Sequence, residues 1–139
     1  RHRFGALHRV SGRIFVVSGA VLGLSGLALL AQVTSLRTPL ADGARGLFGL
    51  ALLGALALAL AAIRDRDILR HRAWMIRAYA IGMGLGAVGL VFFPIYLVTG
   101  QAPTGLGSDL LFVGSWLMSI LLGEAIIRRT SRPSVQVPA

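Results

Sequence analysis

Apolar residues along this chain gather into four long runs rather than short alternating stretches. Positions 14–33 and 47–63 carry no charge, 73–98 contain one charged residue, Arg77, and 110–127 contain one, Glu124. A helix needs about 20 predominantly apolar residues to cross the hydrocarbon core of a bilayer. Soluble core helices seldom repeat such a length four times in so short a chain. The pattern predicts an all-α integral membrane bundle of four transmembrane helices over 14–33, 47–63, 73–98 and 110–127. They form a single transmembrane domain, 1–132, followed by a flexible tail at 133–139.

The polar positions orient this bundle. Arg1, Arg3, Arg9 and Arg13 precede the first run; Arg64, Arg66, Arg70 and Arg72 separate the second from the third; Arg128, Arg129 and Arg132 follow the fourth. The two intervening loops hold only Arg37 and Arg45. Eleven arginines therefore face two across the membrane. By the positive-inside rule both ends are expected in the cytoplasm, in a multi-pass protein of the cell's inner (plasma) membrane. The other two loops carry turn chemistry, Thr38-Pro39, Ala41-Asp42-Gly43 and 100–105, and that half of the molecule reads as nearly featureless. Pro94 is expected to kink or fray the third helix. The first residue is Arg1 rather than Met, so a preceding segment is expected.

Composition strengthens the membrane reading. Of 139 residues 55% are hydrophobic and 14% charged, against about 25% charged in a typical soluble domain. The net charge of +9 by itself suggests nucleic acid. The basic residues are all arginines clustered beside apolar runs, without the aromatic platform that single-strand binders use. The bilayer is the expected partner, and nucleic acid is not. The absence of cysteine excludes disulfides, thiolate metal sites, iron–sulfur clusters and a cysteine nucleophile. No phosphate loop, dinucleotide fingerprint, zinc-protease helix or nucleophile elbow is present.

Lipid offers helices no hydrophobic reason to associate, so small residues must let backbones approach. Gly19 and Gly23 in the first run, Gly82 and Gly86 in the third with Gly84 and Gly89 nearby, and Ser115, Ser119 and Gly123 in the fourth are the expected contact faces.

Candidate chemistry gathers in the arginine-rich half. Glu124 lies four residues before Arg128, about 6 Å inside the interface, and Arg77 lies at similar depth. Ionisable groups within spans usually pair inside the bundle, so Arg77 and Glu124 are expected to form a structural ion pair. The sharper alternative makes Glu124 a proton carrier or metal ligand, with Arg77 holding an anionic headgroup or a cofactor carboxylate. His8 and His71 flank the first and third spans. They read either as interfacial histidines near anionic lipid or as a ligand pair for haem b or a metal, since imidazole suits iron, copper and zinc. Trp74 and Tyr79 fit an aromatic belt at the interface.

The string His71-Arg72-Ala73-Trp74-Met75-Ile76-Arg77-Ala78-Tyr79-Ala80 resembles the hallmark of a widespread family of predicted bacterial and fungal integral membrane proteins, a domain-of-unknown-function family. That hallmark is His-Arg-any-Trp-Met-any-Arg-Ser/Ala-Tyr-Ala. The resemblance reaches back to His8 and Gly12-Arg13 and forward to Trp116 and Glu124. It departs at 86–93, where members often carry a further arginine and this chain has none. The resemblance implies a membrane fold and brings no activity.

The expected function is that of a non-catalytic membrane protein, an accessory subunit packing among other membrane subunits rather than an enzyme. The alternatives are a haem- or metal-binding redox protein using His8 and His71, and a small proton-linked carrier using Glu124.

Overall fold

The computed structural model describes residues 2–32, 38–101 and 104–130, with 2–5 and 85 described by backbone alone. Four helices make up nearly all of it: α1 (His2–Gln32), α2 (Pro39–Arg64), α3 (Ile68–Thr99) and α4 (Gly105–Thr130). Each is long and apolar enough to cross a membrane, and no strand occurs among the described residues. The protein is an all-α, multi-pass membrane protein. The tail at 133–139, Val33, Arg37 and Arg132 lie outside the described residues.

The helices outrun the apolar runs because capping, not hydropathy, ends them. Thr38 is extended (φ −141°, ψ 156°), its Oγ1 accepts a hydrogen bond from the Ala41 amide at 3.2 Å, and Pro39 opens α2 where a missing N–H costs nothing. Asp67 caps α3 by accepting from the Arg70 amide at 2.9 Å. Between them the chain turns through Arg66 in the left-handed region (φ 60°). α3 continues through Pro94 to Thr99, where Gly100 (φ 69°) donates its amide to the Tyr96 carbonyl at 2.8 Å.

Consecutive helices pack antiparallel: α1 on α2, α2 on α3 and α3 on α4, with a narrower contact between α2 and α4. The start of α1, the end of α4 and the 65–67 turn therefore share one end, the arginine-rich end. α1 leans on α2 through glycines. A Cβ on Gly19 would stand 3.0 Å from Leu56, and one on Gly23 2.9 Å from Leu53 and 3.4 Å from the Gly49 carbonyl. On α4, a Cβ on Gly123 would meet the Ala80 Cβ of α3 at 2.9 Å. In α3 the close approach falls at Gly84, not at Gly82 or Gly86. A Cβ on Gly84 would lie 1.8 Å from the Trp116 ring, whereas one on Gly82 or Gly86 would meet nothing within 4 Å.

Trp116, 5% exposed, is the centre of the core. Its ring lies 4.4 Å from that of Phe48 and 4.6 Å, edge-on, from that of Phe112. Its Nε1–H donates to the Ile81 carbonyl at 2.9 Å, which satisfies a donor that has no water to turn to.

Candidate functional site

Arg77 and Glu124 come from α3 and α4, and the tight Gly123–Ala80 approach brings the two helices together at that level. The guanidinium grips the carboxylate with two bonds: Nε donates to Oε1 at 2.5 Å and Nη2 to Oε2 at 3.2 Å. This fork geometry is the strong form of the ion pair. Trp74, one turn earlier on α3, holds its ring 4.7 Å from the guanidinium carbon. The pair is not sealed: the two side chains are 33% and 31% exposed.

What they are exposed to is a cleft of about 280 Å³, lined by Ala51, Gly54, Ala55 and Leu58 of α2, by Trp74, Arg77, Ala80 and Ile81 of α3, and by Ile120 and Glu124 of α4. It exists because α2 and α4 meet only toward the other end. Their side-chain contacts are Thr38 with Asp109, Arg45 with Phe112 and Phe48 with Trp116. Beyond Phe48, α2 turns small residues toward α4, and the gap between the two helices stays unfilled. The cleft is polar at its Arg77–Glu124 end and apolar toward Ala51 and Ile120.

The histidines are not brought together. His71 is half-buried at the start of α3, and its Nδ1 lies 2.8 Å from the Ala59 carbonyl. A carbonyl only accepts, so Nδ1 carries a proton, and in a neutral ring that leaves the lone pair on Nε2. His8 is exposed on α1. The Gly19–Leu56 contact fixes the α1–α2 register. His8 lies eleven residues from Gly19 and Ala59 three from Leu56, in the same direction, which puts His8 about 12 Å farther along the axis than Ala59. Among the described residues no group of three or more His, Asp or Glu side chains is placed to hold one metal ion. Tyr79 is exposed, its ring 5.9 Å from that of Phe15 on α1.

The opposite end carries a polar cluster that hydropathy does not reveal. Asp109, 4% exposed, accepts from Thr38 Oγ1 at 2.7 Å, so the residue that caps α2 is itself tied to α4. Arg45 pairs with Asp42 at 2.9 Å and lies 5.5 Å over the Phe112 ring. The one trace in the sequence is Ser108-Asp109 directly before an apolar run, which reads as a helix cap. Asp109 instead lies inside α4 and reaches across to α2.

A second cavity, of about 360 Å³, opens beside α1 and is walled by Gly23, Gly26, Phe48, Gly49, Gly82 and Trp116, among others.

No curated protein matches the chain. No solved structure matches it either. One family model does, over residues 1–127. With a four-helix membrane fold in hand and a match covering nearly the whole chain, the assignment is plain: the protein belongs to the family described as Predicted membrane protein (DUF2306).

Proposed function

We propose that this protein is a non-catalytic component of a larger membrane assembly, an accessory subunit of the inner (plasma) membrane with its arginine-rich end in the cytoplasm. The observation that carries this reading is the one-sided hold on α1. Its packing is mainly on α2, with Phe15 against Tyr79 as a lesser contact to α3, and the space beside it is a groove walled by glycines and floored by Phe48 and Trp116. In lipid, close backbone approach at small residues is what joins helices. Gly19, Gly23, Gly84 and Gly123 are used that way within the chain, whereas a Cβ on Gly26 or Gly82 in this groove would meet nothing within 4 Å. A transmembrane helix of a partner subunit fits such a wall. The mutual neutralisation of Arg77 and Glu124 supports a structural rather than a catalytic use of the charges within the spans.

The test is extraction from the native membrane into polymer-bounded lipid discs, followed by affinity isolation and mass spectrometry. A partner at fixed stoichiometry is expected, and Gly82→Leu is expected to release it while helical content is retained. A lone chain after native extraction overturns the reading.

A second reading is favoured by His71 alone. An imidazole whose Nδ1–H is held by a backbone carbonyl presents Nε2 in the form that ligates haem or a metal. An absorption spectrum and metal analysis of protein from its own host decide it: absence of both a Soret band and bound metal ends this alternative.

A further inference from the structure

The cleft between α2 and α4 is distinct from the groove beside α1 and does not depend on the accessory-subunit reading. Three features make it asymmetric along the membrane normal. Its polar end, Arg77 with Glu124 and Trp74, faces the arginine-rich end, and its apolar end runs inward past Ala55 and Ile120 to Ala51. From Leu58 to Ala51 it follows α2 for about 10 Å, a large part of one leaflet's share of a roughly 30 Å hydrocarbon core. Arginines frame its mouth. Arg70 stands one turn beyond Trp74 on the same face of α3, and Arg128 one turn beyond Glu124 on α4; both are exposed. Relative to the ion pair they lie about 10 Å and about 6 Å farther out, within reach of one headgroup for side chains of this length.

The charges at the mouth do not cancel. Glu124 is paired with Arg77, and Asp65 and Asp67 leave Arg64, Arg66, Arg70, Arg72, Arg128 and Arg129 of that end in excess. Arg77 Nη1 has no hydrogen-bond partner among the described residues. Basic pockets between helices at a membrane interface suit anionic headgroups, and an apolar slot beneath such a pocket suits an acyl chain.

We propose that this cleft is a binding site for an anionic phospholipid of the leaflet at the arginine-rich end. The phosphate sits between Arg70 and Arg128 above Arg77, and one acyl chain lies along Ala51, Gly54, Ala55 and Ile120. The site combines charge with shape: headgroup attraction alone would operate anywhere along the basic end, whereas the slot beneath these arginines selects one position.

Trp74 lines the cleft and reports on it once Trp116 is replaced by Phe. The experiment reconstitutes that variant in bilayers containing either phosphatidylglycerol or phosphatidylcholine with brominated chains and reads quenching of Trp74. Stronger quenching by the anionic lipid at equal mole fraction is expected. Apparent affinity should fall on the order of tenfold in Arg70→Gln/Arg128→Gln. It should fall also in Gly54→Leu, which fills the slot from a position where a Cβ meets nothing within 4 Å, and hold in the control Arg9→Gln/Arg13→Gln. Equal quenching by the two lipids overturns the proposal, as does a preference that survives either Gly54→Leu or Arg70→Gln/Arg128→Gln. If Trp116→Phe does not fold, native mass spectrometry of the unmodified chain and the same variants supplies the count. One retained anionic phospholipid per chain, lost with Gly54→Leu, is expected; retention unchanged by Gly54→Leu, or no selective retention, overturns it.

Discussion

Gly82, Gly84 and Gly86 lie within five residues of one helix, yet replacing each by alanine should have opposite consequences. A methyl group on Gly84 would stand 1.8 Å from Trp116 Cδ1 and 2.6 Å from its Cγ and Nε1. Carbon atoms rest at about 3.5–4.0 Å, so the indole must retreat by about 2 Å. Its surroundings resist: Phe48 and Phe112 hold the ring at centroid distances of 4.4 and 4.6 Å, and retreat breaks the 2.9 Å bond from Nε1 to the Ile81 carbonyl. A hydrogen bond between membrane helices is worth about 0.6–1.7 kcal/mol, an aromatic pair about 0.5–1.5 kcal/mol, and overpacking costs about 1–3 kcal/mol. One displacement causes all three losses, so they do not simply add. Alanine's better helix propensity returns at most about 1 kcal/mol. Gly84→Ala should therefore destabilise by about 2–3 kcal/mol. Gly82→Ala and Gly86→Ala, whose methyl groups meet nothing within 4 Å, should be neutral or stabilising by up to about 1 kcal/mol. Reversible unfolding in mixed micelles, followed by helical circular dichroism and tryptophan fluorescence, measures the difference. If Gly84→Ala unfolds at the same denaturant concentration as Gly82→Ala, the packing described around Trp116 is wrong.

Three further outcomes follow from the polar contacts and the turn. Glu124→Ala strands the Arg77 charge, and with the pair one-third exposed the loss should be about 1–3 kcal/mol; Arg77→Met/Glu124→Leu should recover most of it in thermal melts, and a double variant as damaged as the single one would contradict this. Asp109→Ala removes the acceptor that anchors Thr38 and should cost about 1–3 kcal/mol, while Asp109→Asn keeps an acceptor; hydrogen exchange at the start of α2 should accelerate in the first variant and not in the second. Arg66 occupies the left-handed region, so Arg66→Gly should melt no lower than the native protein and Arg66→Val should lose about 1–2 kcal/mol; the reverse order of melting temperatures would refute that assignment.

The four helices were legible because a bilayer demands long uncharged runs, and a run of that length admits little else. Their ends were not, since α1 and α3 extend well into arginine-bearing sequence where no lipid constrains hydropathy. Helix faces were harder still. A helix in water shows its buried side by a polar opposite face, whereas here both sides are apolar. Gly82 and Gly86 therefore look as suitable for packing as Gly84, and only the position of Trp116 separates them. The ion pair was legible from depth because charges in spans seek partners.

The histidines show where depth arguments stop. His8 and His71 lie near the starts of their apolar runs, which suggests a common level only if neighbouring helices emerge from the membrane at the same height. The α1–α2 register, set by Gly19 and Gly23 against Leu56 and Leu53, lets α1 run on past the end of α2 and carries His8 with it. Arg77 and Glu124 passed the same test because Gly123 against Ala80 fixes α3 and α4 at their own level. In a bundle of this kind, which polar residues meet is thus decided by the small residues that set the register of each helix pair. The cleft follows the same logic with the opposite outcome. Ala51, Gly54 and Ala55 are small enough for close packing, but the contacts of α4 with α2 lie toward the other end, at Thr38, Arg45 and Phe48, so smallness there leaves a space beside the ion pair instead of a contact.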